Sequence, residues 1–389
     1  MKIQTLHLDS NPLFGSKKIE FRDAGGNILN LIVFAGNNGS GKTTMLESIF
    51  EILTQHTEKQ NKNNFVDICL QPLIDSKLLP SETKTPIHNI HNNSFANVFQ
   101  SIDESNRPKI VYMPAEINFD CLRVNEQSYD YTYAFHHVVN KETIKDVGRY
   151  ISSLIKDEVF KNLSLPALHS INAICDQINL VFNDLEIDAR LTGLAAEGEK
   201  LPVFKNSSGN AFDINALSSG EKQLFVRALS LKMLKAANSI ILIDEPEISL
   251  HPKWQQRILK TYQKMGQNNQ IFVATHSPHI LSSVATEHVF LLSKNNGESI
   301  IYNYKDMNSV YGKPIEIVLK DFMGLTSDRS PQIANLIDEV RNLVRQNQFE
   351  TNLFMDKFNT LKSILGEIDQ DIILLKMDIA KRKASKRQA

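Results

Sequence analysis

The sequence predicts an α/β fold built on a largely parallel central sheet. Three apolar segments carry this prediction, namely residues 28–35, residues 240–243 and residues 271–274. Each is almost free of polar side chains, as strands buried on both faces are. A polar motif follows each segment directly, and the carboxyl ends of parallel strands meet at one edge of a sheet. We therefore expect the three motifs to form a single site.

Length, composition and charge limit the classes of function. The 389 residues suffice for a large core or two domains, and a net charge of −1 gives no general attraction to nucleic acid or anionic membrane. Cys69, Cys121 and Cys175 are too few and too scattered for a disulfide framework or a metal site. The first residues lack a secretory leader pattern and every apolar run is too short to cross a bilayer, so we expect a soluble, cytoplasmic protein.

The first motif is a phosphate-binding loop. Residues 36–43 read Gly-Asn-Asn-Gly-Ser-Gly-Lys-Thr and fit G-x-x-x-x-G-K-[ST] in full, between an apolar strand and an amphipathic helix. Glycines let successive backbone N–H groups point at phosphate oxygens. The residues expected to hold ATP are Asn37, Asn38, Gly39, Ser40, Gly41, Lys42, Thr43 and Thr44. Lys42 would neutralise the β- and γ-phosphates, and the Thr43 hydroxyl would bind Mg²⁺.

The second motif is an acidic pair after residues 240–243. We expect Asp244 to bind Mg²⁺ together with Thr43, and Glu245 to polarise the attacking water. Two helix-capping acids are the alternative, because Pro246 can begin a helix. The apolar run before both acids and the phosphate loop elsewhere in the chain favour the catalytic interpretation.

The third motif is a histidine, His276, after residues 271–274. A single histidine is at least as often structural as functional. Its position at the end of a strand, following the acidic strand in sequence, favours a contact with the γ-phosphate. His251 and His279 lack this context, and we interpret them as ordinary residues.

A fourth motif precedes an apolar helix. Residues 217–223 read Leu-Ser-Ser-Gly-Glu-Lys-Gln, so that Ser218 or Ser219 is a candidate N-cap and Glu221 lies in the first turn. The segment also resembles the LSGGQ signature of ABC ATPases, in the form typical of SMC-like and RecF-like members. The resemblance implies that Ser218, Gly220 and Glu221 contact the γ-phosphate bound by the opposite subunit. ATP would then join two heads into a homodimer.

The four motifs occur in the family's order, and the resemblance implies a P-loop NTPase fold: an ABC ATPase head with a helical insertion and a C-terminal helical extension. The expected parts are an N-terminal lobe, a helical insertion with two amphipathic helices, a C-terminal lobe, and an extension with a basic tail, at residues 1–118, 119–200, 201–310 and 311–389. A polar insertion at 55–108 is interpreted as flexible surface loops with one short strand near Phe65 to Leu70. Glu116 is the candidate for the family's Q-loop residue.

Further resemblances narrow the branch. Residues 244–247 (Asp-Glu-Pro-Glu) and 249–252 (Ser-Leu-His-Pro) resemble the OLD and RecF-like branch, whereas transport ATPases usually carry Asp where His251 stands. After His276 we see no strand that ends in Asp-x-Asp, so we do not expect the TOPRIM nuclease domain of the OLD proteins. The helices after Gly324 resemble Septu-type (PtuA-like) ATPases, which partner an HNH nuclease in anti-phage defence, sometimes inside retrons.

The leading hypothesis is an ATPase subunit that regulates a separate nuclease or toxin in a defence complex, as a homodimer or within a larger assembly. A RecF/SMC-like DNA-repair ATPase that acts directly on DNA is the main alternative; a transporter subunit and a kinase are others. The basic tail fits a solvated terminus or a nucleic-acid contact. Its cations are Lys376, Lys381, Arg382, Lys383, Lys386 and Arg387.

Overall fold

The computed structural model describes residues 1–54, 63–88, 97–115, 133–195, 201–295, 297–325, 327 and 329–388. They form two compact units, Met1–Val318 and Leu319–Ala389. The strands are β1 (Lys2–Asn11), β2 (Gly15–Glu20), β3 (Leu31–Ala35), β4 (Phe65–Cys69), β5 (Ile87–His88), β6 (Ile110–Met113), β7 (His136–Val138), β8 (Arg190–Leu194), β9 (Pro202–Lys205), β10 (Ala211–Asp213), β11 (Ile240–Asp244), β12 (Gln270–Thr275), β13 (Val289–Asn295) and β14 (Glu298–Tyr302). The helices are α1 (Lys42–Thr54), α2 (Gln71–Asp75), α3 (Lys141–Lys161), α4 (Ala167–Leu180), α5 (Ser219–Met233), α6 (Pro252–Gln255), α7 (Ile258–Gln263), α8 (Pro278–Ser282), α9 (Ile315–Asp321), α10 (Pro331–Arg345), α11 (Asn352–Leu365) and α12 (Gln370–Gln388).

A seven-stranded sheet forms the centre of the first unit, in the order β14-β13-β3-β12-β11-β6-β7. Its neighbouring strands are parallel except for the β13–β14 hairpin. Every residue of β3, β11 and β12 is buried. These three strands are adjacent, so the motifs that follow them start side by side at the carboxyl edge. The predicted α/β fold with a largely parallel central sheet is confirmed.

A second, antiparallel sheet has the order β2-β1-β4-β5 and shares one core with helix α1. Part of that core comes from the segment interpreted as flexible surface loops, through the buried residues Val66, Ile68, Leu70, Leu73, Leu79, Phe99 and Ile102. The short strand expected near Phe65 to Leu70 is confirmed as β4. The interpretation of the rest as surface loops is wrong for the buried residues that follow it, whose burial was hidden because polar and loop-forming residues separate them along the chain.

Helices α3 and α4 pack beside a three-stranded sheet of order β10-β9-β8. They confirm the two amphipathic helices predicted for this part of the chain. The insertion also contacts α5, since the rings of Phe182 and Phe204 lie 4.1 Å and 4.8 Å from that of Phe225. The helix that begins at the signature loop is thus held by aromatic packing.

The second unit is helical, with one core inside α10, α11 and α12. The core residues are Ile337, Val340, Val344, Phe349, Phe354, Leu361, Ile372 and Leu375. Arg329 joins Asp369 at 2.8 Å and Asp371 at 2.9 Å. None of the helices in the described ranges combines the length and apolarity needed to cross a membrane.

Three cations of the basic tail are paired with acids of the same unit. The nitrogen–oxygen distances are 3.3 Å for Lys376 and Glu367, 3.0 Å for Arg382 and Asp378, and 3.8 Å for Lys383 and Glu350. The tail runs through α12 to Gln388 as a helix. Much of its charge is therefore balanced within the unit.

Candidate active site

The phosphate loop connects β3 to α1 through glycines that cannot be replaced without steric conflict. Gly36 has φ +144°, and a Cβ there would lie 2.1 Å from the carbonyl oxygen of Leu292 in β13. Gly41 has φ +94°, and a Cβ there would lie 2.4 Å from Cδ2 of Leu13. Both the backbone conformation and the close packing thus require glycine at these positions.

The lysine of the loop is buried and bonded to the loop itself. Nζ of Lys42 donates to the carbonyl oxygens of Gly36 at 2.9 Å and Asn37 at 3.0 Å. Burial lowers the pKa of Lys42, while the charges of three nearby carboxyl groups oppose that shift. The Lys42 ammonium is well placed to exchange these loop carbonyl oxygens for phosphate oxygens.

The other loop residues differ in exposure. Asn37, Asn38, Gly39 and Thr44 are exposed, whereas Ser40 is buried and its carbonyl oxygen accepts a hydrogen bond from Ser299.

The two residues predicted to bind Mg²⁺ meet across two elements. The Thr43 hydroxyl at the start of α1 lies 3.1 Å and 3.0 Å from the two carboxyl oxygens of Asp244 at the end of β11. Burial raises the pKa of Asp244 to about 6; the Thr43 bond opposes this shift, and the neighbouring carboxylates Glu245, Glu47 and Glu247 add to it. Such a carboxylate would be stabilised by a cation. Oxygen ligands of this kind, supplemented by water and phosphate, fit Mg²⁺.

Glu245 follows β11 in an unusual backbone conformation. Its φ is +43°, in the left-handed region that costs a residue with a side chain roughly 1–2 kcal/mol. Its N–H donates to the carbonyl oxygen of Ala274 at 2.9 Å. One carboxyl oxygen lies 3.2 Å from Nδ1 of His276. The conformation thus directs the glutamate to the histidine that ends the next strand.

A second glutamate, Glu247, contacts both the backbone and the ring of His276. Glu247 is only 5% exposed, and its Oε1 accepts bonds from the Thr275 hydroxyl at 2.6 Å and the His276 N–H at 2.8 Å. The same oxygen lies 3.4 Å from Nδ1 of His276. Burial raises the pKa of Glu247, against the hydrogen bonds that it accepts. Sequence reasoning missed Glu247 as a site residue; an acid that closes the Asp-Glu-Pro-Glu run was the available signal.

The signature residues form an exposed helix start. Ser218 caps α5: its hydroxyl accepts from the Glu221 N–H at 3.3 Å, and its own N–H donates to the Glu221 carboxylate at 3.0 Å. A Cβ on Gly220 would lie 2.6 Å from the carbonyl oxygen of Ser249, so only glycine fits. The polar groups of Ser218 and Glu221 bond within this helix start.

The structure therefore brings together Lys42, Thr43, Asp244, Glu245 and His276. The candidate Q-loop residue Glu116 lies outside the described residues. Among the described residues, no group of three or more His, Cys, Asp or Glu side chains could hold a metal ion.

The chain is similar in sequence to one family model and to several known proteins. A family model described as "AAA domain, putative AbiEii toxin, Type IV TA system" matches residues 92–282, a range that includes the signature loop, the acidic pair and His276 but begins after the phosphate loop. Septu protein PtuA of Bacillus thuringiensis is 21% identical over 403 residues, covering 93% of this chain and 96% of PtuA. The chain is thus similar to this family model over residues 92–282 and to PtuA over nearly its whole length.

Two further matches are weaker, one because it covers only about half of the chain and the other because its sequence identity is low. The Retron Ec83 probable ATPase of Escherichia coli is 28% identical over 204 residues, which cover 49% of this chain but only 36% of the retron protein. The chain thus spans about a third of the length of that relative. The crystal structure of an SMC head bound to the C-winged helix domain of ScpA matches with a TM-score of 0.46 and 14% identity, covering 78% of this chain and 98% of that one.

Proposed function

We propose that this protein hydrolyses ATP, with Mg²⁺, at sites shared by two copies of the chain, and that hydrolysis regulates a separate nuclease or toxin in an anti-phage defence complex. The observation that carries the catalytic part is the contact of Thr43 with Asp244, beside the Glu245–His276 pair. The alignment with Septu protein PtuA, over 96% of its length, supports the defence role.

Each side chain has a distinct role in the proposed reaction. Lys42 binds the β- and γ-phosphates, while Thr43 and Asp244 hold Mg²⁺, which when bound neutralises charge on the phosphate oxygens. Glu245 orients the attacking water and accepts its proton. Because Nδ1 of His276 lies beside two carboxyl groups, the opposite ring nitrogen is the one left to bind the γ-phosphate.

The remaining contacts to ATP come from a second copy of the chain. The start of α5 offers N–H groups and the positive end of a helix, both of which suit an anionic phosphate. Ser218 and Ser219 are exposed and Glu221 is half-buried, so the first residues of the helix are accessible to a ligand. ATP bound between the loop of one copy and the signature of the other makes a homodimer.

Direct action on DNA is the weaker proposal. It requires cations that are available to phosphates, and the pairing of Lys376, Arg382 and Lys383 with acids of their own unit reduces that supply. A partner protein that carries the effector chemistry fits the relatives better. An HNH-type nuclease is the partner that we propose.

The test combines ATP turnover with DNA cleavage. The purified chain should release phosphate from ATP only with Mg²⁺, and should leave DNA intact. Co-expressed with an HNH nuclease encoded beside it, the chain should make cleavage depend on its own turnover, so that Glu245→Gln changes the nuclease output and the exposed Glu51→Gln does not. DNA cleavage by the chain alone would contradict the regulatory role, and turnover that survives chelation would contradict the use of Mg²⁺.

A further inference from the structure

Arg227 is a charged side chain in the interior of the first unit. It lies in the middle of α5 among buried apolar residues and is only 1% exposed. Burying a guanidinium costs several kcal/mol unless its donors are bonded. Its hydrogen-bond partners therefore indicate what the charge does.

These partners join α5 to the ends of two adjacent strands. Nε donates to Oε1 of Gln223 at 3.1 Å within the helix. Nη1 donates to the carbonyl oxygen of Asp244 at 3.3 Å, and Nη2 to those of Pro114 and Ala115 at 3.1 Å and 3.0 Å. Asp244 ends β11, and the other two residues follow β6. One rigid guanidinium thus connects the signature helix with two segments of the carboxyl edge.

The bond to Asp244 acts on the catalytic glutamate. The carbonyl group of Asp244 and the N–H of Glu245 belong to the same peptide group. Arg227 holds the oxygen of that group, and the carbonyl oxygen of Ala274 accepts from its N–H at 2.9 Å. Because both polar atoms of this peptide group are bonded, the orientation of the Glu245 backbone is fixed. These bonds also support the disfavoured φ of +43° at Glu245.

We propose that Arg227 is a positioning residue that transmits movement of the signature helix to Glu245. This inference rests on the proposed ATP hydrolysis. In the homodimer, the signature loop of one copy contacts the nucleotide bound by its partner, whereas Glu245 acts on the nucleotide of its own copy. Arg227 therefore makes turnover at one site depend on engagement of the signature loop at the other.

The test is the replacement Arg227→Lys, which keeps the charge and loses the planar fork. We expect kcat to fall about tenfold, as for loss of one bond to a charged donor. KM and the ATP dissociation constant should stay within about twofold of wild type, because no predicted nucleotide contact is altered. Ser230→Ala is the matched control: Ser230 is buried in the same helix, its hydroxyl donates to the carbonyl oxygen of Val226 within that helix, and both constants should be unchanged.

A second variant covers the case in which Arg227→Lys fails to fold. Gln223→Ala removes one of the four bonds and should lower kcat about threefold at constant KM. A kcat within twofold of wild type in the folded Arg227 variant would overturn the proposal. So would parallel losses in kcat, ATP affinity and thermal stability, which indicate a structural role alone. Absence of turnover in the wild-type chain is a different result, and it would overturn the proposed hydrolysis itself.

Discussion

The two edges of the seven-stranded sheet differ in how their polar groups are used. At the amino edge, side chains bridge backbone segments and their donors meet acceptors. At the carboxyl edge, two buried side-chain oxygens have no partner among the described residues, and burial raises the pKa of two carboxyl groups. The contrast separates a structural edge from a functional one within the same sheet.

At the amino edge, two amide side chains each form three hydrogen bonds to backbone groups. The side-chain amide of Gln270 accepts from the Ile3 N–H at 2.6 Å and donates to the carbonyl oxygens of Ile3 and Leu29, each at 2.9 Å. Asn269 likewise bonds the Ser239 N–H and two carbonyl oxygens. Oδ1 of Asn238 is the exception, since it is buried and unbonded in the described part of the chain. The bonds between Gln270 and Ile3 link the two sheets.

The carboxyl edge is left incomplete. Oγ of Ser40 and Oε2 of Glu247 are buried, and neither has a hydrogen-bond partner among the residues with described coordinates. Glu245 has a left-handed backbone, and Asp244 has a raised pKa. Unmatched polar groups and raised carboxyl pKa values are typical of sites that are completed by a ligand. Substitutions at this edge should therefore affect function more than folding.

The largest effect should come from Glu245→Gln. Loss of the base should reduce ATP turnover about a thousandfold, within the range known for general-base residues. Binding should persist, so the ATP-loaded homodimer should accumulate and elute from a sizing column at doubled mass. The exposed Glu51→Gln is the control. A Glu245 variant that turns over ATP at the wild-type rate would remove the glutamate from the mechanism.

At the opposite edge, Gln270→Ala should destabilise the fold and spare the site. Three backbone groups would lose their buried partner, which should lower the free energy of unfolding by about 3 kcal/mol. Denaturant titration measures this change, with the exposed Gln267→Ala as the control. The ATP dissociation constant of the folded variant should match wild type, and a marked loss of affinity would break the distinction between the edges.

Lys42→Ala should show the reverse pattern. Removal of the buried ammonium should weaken ATP binding about a hundredfold, equivalent to roughly 2.7 kcal/mol, with little change in the unfolding free energy. Calorimetric titration checks the affinity, and the exposed Lys260→Ala serves as the control. Tight ATP binding by the Lys42 variant would mean that the loop does not hold the phosphates.

The smallest effect should come from Glu247→Gln, which keeps shape and removes a buried charge. Burial raises the pKa of Glu247 in the folded protein above its value in the unfolded chain. Ionisation of Glu247 therefore lowers the folding stability once the pH exceeds the pKa of the unfolded chain. The neutral amide should therefore leave stability at neutral pH unchanged or higher. Turnover should still fall, by about tenfold, because His276 loses a carboxylate beside Nδ1. Reduced stability with normal turnover would assign Glu247 to the structural group.

Sequence reasoning identified the residues whose signal is local. The strands β3, β11 and β12 are continuous apolar runs, and the motifs after them are short and specific, so their meeting at one edge followed from parallel pairing. Arg227 and Glu247 were missed because their roles depend on contacts with distant segments, although an arginine in an apolar helix face is a usable signal. The strand β4 was predicted, but the burial of Leu73, Leu79 and Phe99 after it was missed because polar and loop-forming residues separate them along the chain.

The central claim is that each ATP is held between the phosphate loop of one copy and the signature loop of the other. Mixing two inactive variants tests it directly. Lys42→Ala disables the phosphate loop, and Ser218→Arg disables the signature loop. A dimer with one copy of each variant still has one intact site, formed by the phosphate loop of the Ser218 variant and the signature loop of the Lys42 variant. Equal amounts should recover turnover of at most about a quarter of wild type, since half of randomly formed dimers are mixed and each has one of two sites. Coupling through Arg227 would lower this fraction further, because the second site of the mixed dimer is disabled. No recovery on mixing, or full turnover by Ser218→Arg alone, would contradict the shared site.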